Sequence, residues 1–351
     1  MNLKVTNWRC IADETIALGR INVFFGKNST GKSSVAYAIY MLGSLHEKSP
    51  DSLAGALFGT NLQSLVRIEN GDKKYPLMLS LKSGNKEASI ILESSGELKV
   101  KRDQIWSDAH MAVAGRYGLL LTYFSISDLL SSIVRTEAPK EEKEVAIRLF
   151  SAFSQFIDII LKSPALAPLP IFIEEILKAS GVKVKPEKRE LFGIGGFEFT
   201  PLIFVSSAIL KYHDMINKSL ELTAREAPAG LVDSAILNLI VSKAENNSLV
   251  VIEEPEEHKN PLMQIELMKD LIKTVKEKNL TLVITTHSEI IIHSILKEIE
   301  DGRLKPDDVK LHYFIRSKKV PWTRIKEIKV LEDGSLEEPM EDFIEATVKL
   351  F

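Results

Sequence analysis

Apolar and polar positions along this chain follow two rhythms, and the change between them divides it. Near the start, LKVTNW, ETIAL and INVFF read as short strands, the last of the type buried on both faces. A glycine-containing turn and a helical segment, SSVAYAIYMLGSL, come next. From about 65 to 102, runs of strand type are separated by polar turns containing glycine, which predicts a meander of antiparallel hairpins. From about 116 to 180, LLLTYFSISDLLSSIV, EVAIRLFSAFSQFIDIIL and PIFIEEILKAS carry helical spacing, broken at Pro164, Pro168 and Pro170. RELFGIGGFEF predicts a hairpin around Gly195 and Gly196, and a helical tract is expected from about 201 to 223. Thereafter helices (LVDSAILNLIVSKA, LMQIELMKDLIKTVKEK, EIIIHSILKEI) alternate with strands (SLVVIEE, LTLVITT), the pattern of a parallel sheet with crossover helices. Two more strands and a short helix close the chain.

Composition changes this picture little. The 351 residues are 45% apolar and 26% charged, ordinary for a globular protein, with length for one large domain or two to three smaller ones. A net charge of −3 carries no electrostatic footprint of nucleic-acid binding. The single cysteine, Cys10, excludes an internal disulfide and a cysteine-built zinc site. The first residues lack an apolar signal core, and no run reaches about 18 uninterrupted apolar residues. A soluble, cytoplasmic protein without a membrane partner is expected.

The turn after INVFF gives the first chemistry. GKNSTGKS, residues 26–33, fits G-x-x-x-x-G-K-[ST] in full. Gly26 and Gly31 permit the tight backbone, and the N–H groups of Lys27, Asn28, Ser29, Thr30 and Gly31 converge on phosphate oxygens. Lys32 neutralises the β- and γ-phosphates, the Ser33 hydroxyl ligates Mg²⁺, and Ser34 opens the helix whose dipole completes the cradle. Strand before and helix after are the context this motif requires, so ATP and Mg²⁺ are the expected cofactors.

VVIEEPEEH, residues 250–258, ends a buried strand in four carboxylates. Ligands of parallel sheets bind at such strand ends, and hydrolysis needs a metal-side carboxylate and a base. Neighbouring residues on a strand face opposite ways, so the two jobs separate: Glu253 for the metal, Glu254 for the base. Glu256 and Glu257 follow Pro255 into a loop, where a solvated face or a dimer interface is the expectation. ITTHS places His287 at a third strand end, within reach of a γ-phosphate or attacking water, whereas His258 reads as a surface residue.

Glu253 follows Lys32 by 221 residues (253 − 32), a gap too wide for a compact kinase or GTPase. With LKVTNWRC…INVFFGKNSTGKSS, VVIEEPEEHKNP and ITTHS, the chain resembles ATP-binding-cassette ATPases of the SMC and RecF kind. Its doubled glutamate, the string Ala114-Gly115-Arg116 and the strand DVKLHYF are most similar to stand-alone AAA/ABC-type ATPases of bacteria and archaea. The resemblance implies an α/β P-loop NTPase fold: a mixed sheet with an antiparallel β subdomain and an inserted helical region. It divides the chain into an ATPase lobe (1–115), a mainly helical insertion (116–225) and the rest of the core (226–351). It further implies an ATP-sandwiched homodimer in which a signature loop caps the partner's nucleotide. APAGLVDS occupies that position, with Ala229 and Gly230 as backbone donors but no signature serine. Gln104 and Arg116 are candidates for the loop that usually bears a glutamine, and Gln264 is expected to be structural. The implied role is a hydrolytic switch in DNA maintenance or defence, with DNA or a separately encoded effector as partner. A transporter motor and an ATPase regulating a separate nuclease are the alternatives.

Overall fold

The computed structural model describes residues 1–122, 125, 187–191, 195–199, 210–217, 219–223, 225–318 and 321–340. The central layer is a six-stranded sheet in the order β17-β16-β3-β15-β14-β9. Its strands are β3 (Ile21–Phe25), β9 (Ala109–Ala112), β14 (Leu249–Glu253), β15 (Thr281–Thr286), β16 (Val309–Ile315) and β17 (Arg324–Ile328). All are parallel except β17, which turns back against β16. The register pairs Glu253 with Thr285 and Thr286 with Phe25, so five strand ends open onto one edge. β3, β9, β14 and β15 are buried at every position, as the near-continuous apolar runs require.

A second layer is the antiparallel sheet β2-β1-β6-β7-β8. It comprises β1 (Asn2–Trp8), β2 (Ile11–Ala17), β6 (Leu77–Ser83), β7 (Lys86–Leu92) and β8 (Leu98–Arg102). A small hairpin of β4 (Ile68–Glu69) and β5 (Asp72–Lys73) leads into it, turning at Asn70 and Gly71, both of positive φ. Helix α1 (Lys32–Gly43) lies between the layers, touching β14 and β15 on one side and β6 and β7 on the other. It is accordingly buried nearly all round, with no polar stripe. Helix α2 (Pro50–Phe58) follows, with Ser49 as N-cap, Pro50 in the first turn and Gly59 in the left-handed conformation at its end.

The crossover helices close the far side. In α3 (Ala229–Lys243), α4 (Pro261–Glu277) and α5 (Glu289–Glu300) the apolar positions face the sheet or one another. α4 buries Leu267, Met268, Leu271, Ile272 and Val275 at helical spacing. Asn260 and Ser288 cap α4 and α5 by accepting the N–H groups of Met263 and Ile291. Among the described residues no helix is long and apolar enough to cross a membrane.

Two sequence expectations fail here. The tract 201–223, read as helical, holds β12 (Leu210–Asp214) and β13 (Glu221–Thr223). These extend the hairpin of β10 (Glu187–Leu191) and β11 (Gly195–Phe199) into a four-stranded antiparallel sheet. The local reason is turn chemistry: Asp214 Oδ1 accepts the N–H groups of Ile216 and Asn217, which reverses the chain. Gly195 and Gly196 sit within β11, with Gly195 paired to Leu191, instead of forming the turn. The helices expected between about 126 and 180 lie outside the described residues.

Candidate functional site

Phosphate cradle geometry begins where β3 ends. Gly26 has φ +130°, and a Cβ there would lie 2.4 Å from the Phe314 carbonyl oxygen on neighbouring β16. Gly31 has φ +104°, with Thr323 Oγ1 and Cys10 Sγ 2.8 and 2.9 Å from the place a Cβ would take. Both positions therefore exclude side chains twice over, by conformation and by space. Lys32 Nζ arcs back to the carbonyls of Gly26 and Lys27, at 2.9 Å each, which holds the ammonium inside the loop. Thr30 Oγ1 donates to Lys27 O (2.7 Å), and Thr323 Oγ1 donates to Thr30 O (2.7 Å). Arg316 Nη1 reaches Ser29 O at 3.2 Å. The segment after β16 thus braces the cradle from outside. α1 starts at Lys32 with no side-chain cap and no acid in its first turn, leaving its N-terminus electropositive.

Opposite the cradle stands Glu253, 3% exposed at the end of β14. The Ser33 hydroxyl hydrogen-bonds its carboxylate. Tyr37 Oη donates to Oε2 at 2.7 Å, and Ala114 N approaches the same oxygen at 3.4 Å. Burial raises the affinity of Glu253 for a proton, and the bonds from Ser33 and Tyr37 oppose that rise. The Tyr37 phenol is held well above its ordinary pKa, first by burial and then by Glu253, so it remains a donor. A hydroxyl and a carboxylate in contact beside a phosphate loop are hard oxygen donors of the type Mg²⁺ takes when phosphates supply the rest of its shell. The residues present therefore fit the metal that the motif implies.

Glu254 lies one residue past the end of β14, where the chain leaves the extended conformation, and its side chain enters the cleft. Its φ is +43°, and its N–H donates to Thr285 O at 2.8 Å. The carboxylate, 38% exposed, lies 3.8 Å from His287 Nε2. Burial, and next the Lys32 charge, depress the His287 pKa, favouring neutral imidazole. Asn28, Ser29, Thr30, Gly31, Lys32, Ser33 and Ser34 share with Glu254 and His287 the walls of one cleft of about 1020 Å³. Its other walls, which carry no local sign in the sequence, include Arg9 and Phe58, with the guanidinium 4.7 Å from the ring centroid, and Trp322. Trp322 is fixed by a 3.1 Å bond from Nε1 to Glu69 and by the Arg67 guanidinium 4.4 Å from its ring centroid.

The other expected residues lie outside this cleft. Ala229 and Gly230 begin α3, where a Cβ on Gly230 would meet the His258 carbonyl oxygen at 2.4 Å. Gln104 is bound to Ser107 O before β9, away from the strand ends. Gln264 is structural, joining Lys259 O (3.0 Å) to the Ser288 hydroxyl (2.6 Å). His258 is exposed. Glu256 and Glu257, expected to face solvent or a partner, turn inward. Glu256 Oε1 accepts Thr286 Oγ1 (2.9 Å) and His287 N (2.7 Å), and burial raises its pKa. Glu257 accepts the N–H of Gly115 with both oxygens (2.9 and 2.8 Å). Orphan backbone donors at the ends of β15 and β9, the two strands that flank β14, explain the acids: each carboxylate satisfies one of them.

Fold and cradle together define a P-loop ATPase built on a mixed, mainly parallel sheet. The chain belongs to the AAA ATPase domain family, whose pattern it matches over residues 1–95 and 122–292. It is similar to the DNA replication and repair protein RecF of Shewanella loihica, with 33% identity over 102 residues. That match covers 28% of this chain and 25% of RecF, so it spans about a quarter of that relative. Similar solved structures include the SMC head domain from Thermotoga maritima, with 13% identity and a TM-score of 0.45, covering 94% of this chain and 98% of that one. Another is the Smc head domain with an extended coiled coil, bound to the C-terminal domain of ScpA derived from Pyrococcus furiosus. There the identity is 11% and the TM-score 0.49, over 99% of this chain and 98% of that one. The protein is an ATPase of this AAA ATPase domain family.

Proposed function

We propose that this chain binds ATP with Mg²⁺ and hydrolyses it as a molecular switch, two copies closing around two nucleotides. The observation that carries the reading is the meeting of Lys32, Ser33, Glu254 and His287 in one cleft, although the first pair and the last are more than 200 residues apart. Gly26 to Ser34 bind the phosphates and Lys32 compensates their charge, while Ser33 with Glu253 would hold Mg²⁺, which would supply further positive charge against the phosphates. Glu254 orients a water and takes its proton as the water oxygen bonds to the γ-phosphorus and the bond to the ADP oxygen breaks. Neutral His287 faces the same phosphoryl group and keeps the water in line. Such chemistry asks chiefly for position and charge.

Ala229 and Gly230 lie outside their own cleft, which supports a role toward the nucleotide of a second copy. The domain division proposed is an ATPase core of 1–115 and 226–351 with 116–225 inserted. A part in DNA maintenance with DNA as partner is supported by the likeness to the DNA replication and repair protein RecF, and a part in defence with an effector protein is the alternative.

Glu254→Gln tests the reading. Phosphate release should fall about 10²- to 10⁴-fold, the range of a lost general base. ATP binding should persist, and the ATP-bound dimer should outlive that of the unaltered protein in size-exclusion chromatography. A Glu254→Gln protein with undiminished turnover would refute the assignment.

A further inference from the structure

Behind Glu253 and Glu254 lies a buried charge node that the chemistry above leaves unused. Arg116 follows β9 and is wholly buried. Its Nη1 donates to Val113 O at 3.0 Å and to Glu253 O at 2.7 Å. Its Nη2 donates to Glu254 O at 3.0 Å and to Asp233 Oδ2 at 2.9 Å, while Nε lies 2.6 Å from Asp233 Oδ1. Asp233, equally buried, sits in α3 four residues after Ala229. Lys259 Nζ bonds the same Asp233 carboxylate and the Glu257 carbonyl.

The Glu257 carboxylate lies 3.8 Å from Arg116 Nη1, so two cations and two anions form a neutral ring over three segments of chain, residues 113–116, 233 and 253–259. Burying such a ring costs several kcal/mol per ion before the pairing returns it, so stability alone is a poor reason for its presence. What an apolar replacement could not supply is the planar fork of donors aimed at two successive carbonyls. Those carbonyls belong to the two carboxylates that need separate orientations. Glu254 also has a positive φ, a conformation a non-glycine residue holds only when its surroundings impose it. Its N–H is fixed by Thr285 O and its carbonyl by Arg116, so the peptide groups on both sides are clamped.

We infer that Arg116 is the positioning residue that sets the Glu254 carboxylate in the cleft, and that Asp233 links this grip to the start of α3. The inference rests on Glu254 being the residue that orients water. A shift of α3 at Ala229–Gly230 would then reach Glu254 through a salt bridge and one hydrogen bond.

Arg116→Lys keeps the charge beside Asp233 but loses the fork. Steady-state phosphate release should show kcat lowered about 10- to 100-fold, the cost of a misplacement near 1 Å. Affinity for a fluorescent ATP analogue should change less than about threefold, because the cradle is untouched. The decisive arm adds the substitution to Glu254→Gln: a residue acting only through Glu254 lowers the residual rate no further. Asp233→Asn, nearly isosteric, should reproduce the kcat loss in milder form. A folded Arg116→Lys enzyme with normal kcat would overturn the inference, as would an additive loss in the Glu254→Gln background. Failure of both single variants to fold would also overturn it, marking the node as structural. Undiminished turnover of Glu254→Gln alone would instead sink the assignment of Glu254.

Discussion

The phosphate cradle and the acidic end of β14 face each other across one cleft, but they are built in opposite ways. The cradle is a single run, Gly26 to Ser34, whose main contacts are made within itself: Lys32 to Gly26 and Lys27, Thr30 to Lys27. The acidic end is assembled from β9, α3, β14 and β15, and almost every polar contact there joins residues far apart in the chain. A contiguous site states its geometry in its own spelling. An assembled site shows in sequence only the residues that react, not those that hold them.

The comparison breaks most simply at Lys32. Lys32→Ala removes the one ammonium that the cradle bends toward its own carbonyls. Turnover should drop by about 10³-fold, the upper range for one lost electrostatic stabiliser. Unlike Glu254→Gln, this change should also weaken binding of a fluorescent ATP analogue in a titration. Retained nucleotide affinity in Lys32→Ala would mean that the loop amides alone carry the phosphates.

The cradle's support offers a second test, of stability. His312 on β16 pairs with Phe24 of β3, its ring centroid 5.5 Å from that ring, directly behind the strand that feeds the loop. Burial is the main cause that lowers its pKa to about 4, against a rise from Glu327 and a bond with Ala17, with Lys310 adding to the depression. A group whose folded pKa is depressed stabilises fully above the unfolded value, near 6.5, and loses that contribution as pH falls to the folded one. The gap is worth roughly 3 kcal/mol at about 1.4 kcal/mol per pH unit. Denaturant titrations between pH 7 and pH 4 should show a decline of this order that His312→Phe removes. An unchanged pH slope in that variant would show that other groups set acid stability.

How much was legible follows the same division. The alternation after residue 226 was readable because buried β14 and β15 are nearly pure apolar runs and α4 keeps a strict stripe. β9 was not, because AHMA is four residues long and carries a histidine, leaving no period to detect. Its discovery in the structure matters, since it puts Ala114, Gly115 and Arg116 beside Glu253. The strands β12 and β13 read as helix because apolar spacing in so short a tract fits either period, and the turn at Asp214 and Asn217 is the feature that decides between them. α2 was signalled and missed: Ser49 and Pro50 start it, and Gly59 stops it. Among the candidate site residues, Gly26 to Ser34, Glu253, Glu254 and His287 could be named because type and spacing state the chemistry proposed for them. Arg9 and Trp322 could not, since they reach the cleft from the turn between β1 and β2 and from the segment before β17, with no local sign of what they approach.

The finest distinction lies inside the acidic end, between Glu254 and Glu256. Both are near His287, but Glu254 stands in the cleft, whereas Glu256 receives the His287 N–H and the Thr286 hydroxyl. Its second oxygen, Oε2, is buried and meets no hydrogen-bond donor among the described residues. Glu256→Gln keeps an acceptor for His287 but exchanges a charge-assisted bond for a neutral one and puts an amide donor where Oε2 lies. A cost of about 1–2 kcal/mol in holding His287 follows. Read as turnover, that is a loss of about tenfold, with ATP affinity kept and the pH profile keeping its shape. A loss as deep as that of Glu254→Gln would exchange the roles of the two acids, and full activity would return Glu256 to the solvated face first expected of it.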